Sequence, residues 1–259
     1  MAKIVSVVNQ KGGVGKTTTS IEIASFLTMS DKKVLLVDFD QQCNATMYSK
    51  NTDNSCKYTI WDVLNAKCST KNTISKSKYY DYIMGSAELS KAEKTFLDHD
   101  AIYYLGDVLE SVASDYDYII IDNSPSRNIL LNMAYAASDA AILVTECDDG
   151  SISGLKQILG DINALKTGKH SVSHMKIAGI VLNKYENTIM HQTSLEALDM
   201  LKEKWGIEDA FVSTVRKTVK LSEVKSFKTT LQEGKNYFSS AAQDFRMVVH
   251  NLMDNLEDK

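Results

Sequence analysis

Residues 9–18, Asn-Gln-Lys-Gly-Gly-Val-Gly-Lys-Thr-Thr, constrain what this chain folds into more than any other stretch. Just before them Lys3–Val8 is short and rich in valine and isoleucine, which reads as a buried strand. Just after them Thr18–Leu27 carries apolar residues at helical spacing. Strand, glycine-rich turn and helix together make the setting of a phosphate-binding loop. Glycines let successive backbone N–H groups turn toward one anion, and the helix N-terminus adds a favourable dipole. The segment Gly12, Gly13, Val14, Gly15, Lys16, Thr17 and Thr18 is therefore the expected nucleotide-binding loop. Lys16 supplies charge for the β- and γ-phosphates, and the Thr17 hydroxyl suits a Mg²⁺ ion. The match to G-x-x-x-x-G-K-[ST] is incomplete, because Gln10 stands at the first glycine and Lys11 follows it.

Composition narrows the class. With 259 residues, 44% of them hydrophobic, the chain can bury one sizeable α/β core, and residues 1–259 are expected to form a single domain. It holds one proline, Pro125, and shows no internal repeat or Pro/Gly-rich linker. The net charge of −4 excludes an overall basic coat but permits a local basic patch. Cys43, Cys56, Cys68 and Cys147 form no C-x-x-C pair, which argues against a structural zinc site or redox pair. Met1-Ala2-Lys3 leads straight into the first strand, and no apolar run approaches 18 residues, so a cytoplasmic protein without a membrane span is expected.

Further strands follow in order. Lys33–Asp38 reads as a strand covered on both faces, as in a parallel sheet, and ends at Asp38-Phe39-Asp40. Carboxylates at the tip of a central strand face the ligand crevice, although the same pair also serves as turn and cap residues. Residues 47–80 are polar around one expected short helix, Tyr58–Leu64. Tyr82–Ser86 reads as a strand entering a turn, and Glu88–Glu93 as a charged helix. Tyr116–Asp122 is an apolar strand closing on an acid, the form of a Mg²⁺-holding strand, with Asp122 acting through a water. Ala140–Thr145 and Gly179–Lys184 are two more strands, the second carrying Asn183 at its tip, where a simple chain turn is the other reading. Between Thr214 and Lys235 six basic residues face two acids, an excess that fits either a solvated face or phosphate contacts. Tyr237–Met253 reads as an amphipathic helix packed on the sheet.

The K-G-G-x-G-K-T-T loop resembles the deviant Walker A loop of the ParA/MinD superfamily. Three further stretches support the resemblance. Asp38–Thr46 is similar to D-x-D-P-Q-G-N-A-T, with Gln41 for proline and Cys43 for glycine; Asp122–Ser126 is similar to D-T-P-P-S. Phe211–Phe227 is similar to I-P-R-N-V-R-L-S-E-A-P-S-F, with Arg216 and Lys225 in place of its prolines. The resemblance implies a doubly wound, mainly parallel α/β sheet flanked by helices on both faces. It implies that Lys11 reaches the nucleotide of a second subunit, that Asp40 orients the attacking water, and that Asp38 lies close to the metal held by Thr17 and Asp122. Asn183 would read the adenine edge, and Arg216, Lys217 and Lys220 would contact DNA.

The function so implied is that of a ParA/Soj-type ATPase using ATP and Mg²⁺. It would form an ATP-bound homodimer, bind double-stranded DNA non-specifically at the nucleoid, and answer to a ParB-like partner. The chain begins at the P-loop strand, so no N-terminal helix-turn-helix module is expected. A MinD-type positioning ATPase is the alternative, but it would end in a basic membrane-lying helix, whereas Met253–Lys259 is acidic. An iron-protein reductase would need more cysteines near Asp122.

Overall fold

The computed structural model describes residues 1–49, 56–167 and 171–257, with the backbone alone for 149–153. Eight strands form one sheet: β1 (Lys3–Val8), β2 (Val34–Phe39), β3 (Ile74–Lys76), β4 (Asp81–Ile83), β5 (Tyr118–Asn123), β6 (Ala140–Thr145), β7 (Lys176–Tyr185) and β8 (Phe211–Arg216). Their spatial order is β3-β4-β2-β5-β1-β6-β7-β8. Every neighbouring pair is parallel except β3 and β4. The inner strands are runs of valine, isoleucine and leucine buried on both faces, the pattern a parallel sheet with helices on each side requires.

Among the described residues ten α-helices pack on the sheet. They are α1 (Lys16–Met29), α2 (Asn44–Ser49), α3 (Ile60–Leu64), α4 (Ala92–Thr95), α5 (Tyr104–Glu110), α6 (Ile129–Ala137), α7 (Asp149–Lys166), α8 (Ile189–Trp205), α9 (Lys220–Ser226) and α10 (Ser240–Leu256). Alternation along the strands assigns the faces. Val5, Val7, Leu36, Ile120 and Ile142 pack with Phe26 of α1, Val224 of α9 and Phe245 of α10. Leu35, Val37, Ile119 and Ile121 point the other way, onto α3, α5 and α6. Ala141, Leu143, Ile180 and Leu182 continue that second face under α7 and α8. This is the expected doubly wound fold, and β1 lies inside it with the sheet extending both ways.

The structure departs from the sequence reading in four places. The polar stretch 47–80 contributes, after Leu64, the edge strand β3, which a three-residue Ile-Ser-Lys run does not signal; residues 50–55 of that stretch lie outside the described residues. The helix expected at Glu88–Glu93 is mostly a 3₁₀ turn, Ala87–Lys91, continued by the single turn α4. The segment after Asp40 coils into α2, a helix that the sequence does not signal. Phe211–Arg216, read only as part of a basic segment, pairs with β7 as the last strand. The terminal helix is as expected but shifted three residues toward the C-terminus; residues 258–259 lie outside the described residues. No described helix is long and apolar enough to cross a membrane.

α1 is buried almost all round, because α10 and the segment before Leu231 cover the side that the sheet does not. One consequence is that Glu22 is 1% exposed. Both its carboxyl oxygens accept the Leu231 N–H, at 3.3 and 3.1 Å. Burial, against the help of that N–H, raises its pKa to about 8; Glu233 adds to the rise and Lys225 opposes it. An unfolded glutamate loses its proton near pH 4.5 and the folded one near 8. Between these values the native state holds a proton that the unfolded chain has lost, so this stabilisation is complete below pH 4.5 and disappears as pH rises through 8. Thermal unfolding across this range should show the parent losing on the order of a few kcal/mol toward high pH through this group. Glu22→Gln keeps the acceptor for Leu231 and should flatten that slope; an unchanged slope would mean that Glu22 is ionised throughout.

Candidate nucleotide-binding site

At the carboxyl end of β1 the chain turns through residues 9–15 into α1. Gly13 and Gly15 have φ of 79° and 103°, in the left-handed region open to glycine. The turn is tied from outside. Asn9 is 4% exposed; its Nδ2 donates to the Val144 carbonyl at 2.6 Å and its Oδ1 accepts the Lys11 N–H at 2.7 Å. Asn183, at the tip of β7, donates from Nδ2 to the Val14 carbonyl at 2.6 Å. Lys184 reaches the Gly13 carbonyl at 3.1 Å and is held by Glu146 at 2.7 Å. With carbonyls anchored outward, the loop N–H groups are left to face the cleft. Gln10, in place of the usual first glycine, donates to Asp161 of α7 at 2.7 Å. Arg127, after β5, also pairs with Asp161. The substitution thus ties the start of the loop to α7 and to the turn after the Asp122 strand.

The cleft measures about 320 Å³. Gly12, Gly13, Gly15, Lys16, Thr17, Thr18, Asp40, Gln42, Asn44, Tyr48, Pro125 and Lys225 line it. A larger cleft, of about 570 Å³, opens at the opposite end of the sheet beside Trp205 and Ala210, away from every phosphate-binding element. Lys16 is 7% exposed and donates to the Lys11 carbonyl at 3.1 Å. Burial depresses its pKa, while Asp122 and Asp40 oppose that shift. A desolvated ammonium facing a ring of N–H groups is the electrostatic complement of a phosphate chain.

Two carboxylates lie under the loop, side by side in register on β2 and β5, Asp38 opposite Asp122. Asp122 is fully buried; its Oδ1 accepts the Ser20 hydroxyl at 2.9 Å, and its Oδ2 has no hydrogen-bond partner among the described residues. Burial first, then the neighbouring Asp38, push its pKa up, with the Thr17 and Ser20 hydroxyls acting in the opposite sense. Asp38 uses its oxygens locally: Oδ2 accepts the Thr46 N–H at 2.7 Å and its hydroxyl at 2.6 Å, and Oδ1 accepts the Asp40 N–H at 3.3 Å. It therefore shapes the β2–α2 turn from its place beside Asp122. The orphaned oxygen of Asp122, the Thr17 hydroxyl and the raised carboxylates fit a Mg²⁺ ion, which takes few protein ligands and completes its shell with water and phosphate oxygens.

Asp40 lies on the cleft wall, 7% exposed, and caps Gln42 through Oδ1 at 3.0 Å. Cys43, where the similar segment has glycine, is bent to a φ of 53°, so the cysteine is accommodated with local strain. Lys11 points out of its own cleft: its side chain is 48% exposed and pairs with Asp148 at 2.7 Å.

Arg216, Lys217 and Lys220 of the basic segment lie apart from the cleft. Arg216 is bound by Asp244 of α10, with a contact of 2.6 Å, and donates to the Ser240 carbonyl at 3.0 Å. It ties β8 to α10. Lys217 meets Glu186 at 3.3 Å and Lys220 meets Glu223 at 2.7 Å, all on the surface. The structure thus brings Lys16, Thr17, Thr18, Asp40 and the glycines to one cleft, with Asp122 beneath and Asn183 bracing the loop. Tyr48, Lys184 and Lys225 belong to the same neighbourhood without having been expected there. Only the basic residue at 225 carried any sequence signal, as a replaced proline.

A family model described as an AAA domain matches residues 2–177. The chain is 32% identical to the chromosome partitioning protein ParA of Myxococcus xanthus, covering 88% of this chain and 80% of that one. The chain belongs to the ParA/Soj family of P-loop ATPases. The chromosome-partitioning ATPase Soj of Treponema pallidum is similar at 31% identity, covering 87% of each chain. In three dimensions the chain also matches cobyrinic acid a,c-diamide synthase of Mycobacterium smegmatis, solved with ADP and magnesium. The TM-score is 0.81 at 21% identity, over 100% of this chain and 96% of that one. That likeness is one of fold.

Gly15 is the loop's least replaceable position. An added Cβ would lie 2.1 Å from Asn183 Nδ2, at a φ that side chains avoid. Gly15→Ala should lower stability by roughly 1–3 kcal/mol and disorder the loop. Thermal unfolding together with amide exchange of residues 12–18 would check it, and an unperturbed loop would show that Asn183 has room to yield.

Proposed function

We propose that this protein is an ATP-dependent dimerising switch that binds DNA without sequence preference and segregates plasmid or chromosomal DNA with a ParB-like partner. It would act in the cytoplasm, on the nucleoid. The observation that carries the reading is the opposite placement of the two loop lysines. Lys16 is drawn into its own cleft, whereas Lys11 stands at the rim on the solvent side, held by Asp148. A lysine of the P-loop that serves its own phosphates gains nothing from facing outward. One that serves the nucleotide of a second copy across an interface must do so.

Within the cleft the loop N–H groups and Lys16 bind the phosphate chain, together with Thr18. Thr17 and Asp122 would hold Mg²⁺, whose charge offsets that of the phosphate oxygens. Asp40, at the wall beside Gln42, orients the water that attacks the γ-phosphate in line, giving ADP and phosphate. Asp38 keeps the β2–α2 turn that carries Asp40 in shape. Asn183 braces the loop from below and would read the adenine edge.

Removing charge from the loop separates these roles. Lys16→Ala should abolish ATP binding, Asp40→Ala should bind ATP yet stall hydrolysis and accumulate as dimer, and Lys11→Ala should bind ATP but fail to dimerise. Size-exclusion with ATP and Mg²⁺ separates Asp40→Ala from the other two, and a nucleotide titration separates Lys16→Ala from Lys11→Ala. A monomeric Asp40→Ala variant, or one with normal turnover, would remove Asp40 from the water-positioning role.

For DNA, the supporting feature is the pair Lys217 and Lys220. Their partners are exposed carboxylates, and such surface ion pairs are weak enough for a phosphate to displace. Arg216 is more deeply committed and contributes by holding β8 in place. ATP-bound protein should bind unrelated duplexes alike, with affinity falling steeply with salt. In anisotropy titrations with ATP and with ADP, Lys217→Ala/Lys220→Ala should make the log–log slope shallower by about one unit for each lost contact. A parent that binds no DNA with ATP would end the partition reading, and an unaltered double variant would leave these lysines as a solvated face.

A further inference from the structure

Lys225 has no part in the roles assigned so far, and its surroundings are unusual for a lysine. It belongs to α9, near the far end of the basic segment, yet its side chain lines the phosphate cleft with Lys16, Thr18, Asp40 and Tyr48. Its Nζ lies 5.8 Å from the centre of the Tyr48 ring, over the face. At the rim of the site Lys11 pairs with Asp148 and Lys184 with Glu146, and farther along the basic segment Lys217 pairs with Glu186 and Lys220 with Glu223. Among the described residues no carboxylate lies within ion-pair distance of Lys225. Its surroundings favour the uncharged form: burial lowers the pKa first and the charge of Lys184 adds to that, while Asp122 and Glu22 pull back.

A half-buried ammonium without a counter-ion is costly, and folded proteins retain one where an anion arrives. In this cleft Lys16 is in the same state for the same reason. The position of Lys225 is also well fixed. Val224, beside it, is buried in the core against α1 and α10, and the end of α9 is closed by Lys228 N–H to the Lys225 carbonyl at 3.1 Å and Thr229 N–H to the Val224 carbonyl at 2.9 Å. The ammonium thus stands between the P-loop and Tyr48 of α2, which follows directly on the Asp40 turn.

We propose that Lys225 is a further phosphate-binding lysine of this cleft, which contacts the polyanionic tail of bound ATP and ties α9 to the nucleotide. The proposal rests on the nucleotide-binding reading above. It adds a cation supplied by the same chain, distinct from Lys11 at the rim. It also gives ATP a direct hold on the helix whose first residue, Lys220, stands on the basic face.

The test uses the full chain with Mg²⁺ and ATP, and the variants Lys225→Met and Lys225→Arg. Methionine keeps the length and apolar stem without the charge, and arginine keeps the charge. By calorimetry Lys225→Met should bind ATP roughly ten- to a hundredfold more weakly, the range for loss of a charged hydrogen bond, and Lys225→Arg should stay near the parent. In hydrogen exchange, saturating ATP should slow the amides of residues 220–226 in the parent and in Lys225→Arg. In Lys225→Met it should slow only the loop amides, a difference that a purely structural role for Lys225 would not produce. If Lys225→Met fails to fold, Lys225→Gln serves for the same two measurements. ATP affinity within twofold of the parent in the uncharged variant, with α9 still protected, overturns the proposal and leaves the nucleotide reading standing. A parent that binds no ATP removes both.

Discussion

Everything at the site depends on backbone carbonyls being pulled away from it. A loop can present its N–H groups to a phosphate chain only if the opposite edge of each peptide is satisfied elsewhere. Here Asn183 takes the Val14 carbonyl, Lys184 takes that of Gly13, and Lys16 itself takes that of Lys11. Asn9 sets the entry by bridging the Val144 carbonyl and the Lys11 N–H. These anchors come from β6, β7 and the loop itself, so the sheet order that sets β6 beside β1 and β7 beside β6 is a condition of the loop's shape. Gly15 completes the arrangement by leaving Asn183 the space beneath it.

Charge is arranged as two unsatisfied layers that need each other's ligand. Beneath the loop, Asp38 and Asp122 sit in register, and both are pushed toward the protonated form first by burial and then by a neighbouring carboxylate, Asp40 for Asp38 and Asp38 for Asp122. Above, the ammoniums of Lys16 and Lys225 are both pushed toward the uncharged form by burial. A cation below and a polyanion above would relieve both layers at once. MgATP carries both charges in one complex and so complements both layers. The strain at Cys43 and the hydrogen bonds around Asp38 belong to the same device, because the β2–α2 turn is what carries Asp40 to the cleft wall.

The basic segment illustrates how sequence composition misjudges availability. Arg216, Lys217, Lys220 and Lys225 stand within ten residues of one another and read alike as positive charge. Folded, they have separate tasks. Arg216 is locked by Asp244 and Ser240, Lys217 and Lys220 remain on the surface in weak pairs, and Lys225 turns inward to the cleft. Pairing partners 28 residues away, or on another helix, decide which of these charges an external phosphate can reach.

By itself the sequence determined the strand–loop–helix unit, the parallel α/β class, the acids at the tips of β2 and β5, and the lysine and threonine of the loop. Each of these is a local pattern: a valine-rich run, glycines at a turn, an acid where an apolar strand stops. The same patterns did not reveal β3, whose three residues gain strand form only by pairing with β4, or α2 within a polar stretch. They did not show that Gln10 replaces a glycine because Asp161 receives its amide. Nor did they show which way Lys11, Asn183 and Lys225 point. Direction is set by what surrounds a side chain after the sheet has assembled, and burial there changes the cost of every charge. Local spacing therefore located the loop and the acids, and the packing of α1, α9 and α10 on the sheet decided which side chains line the cleft.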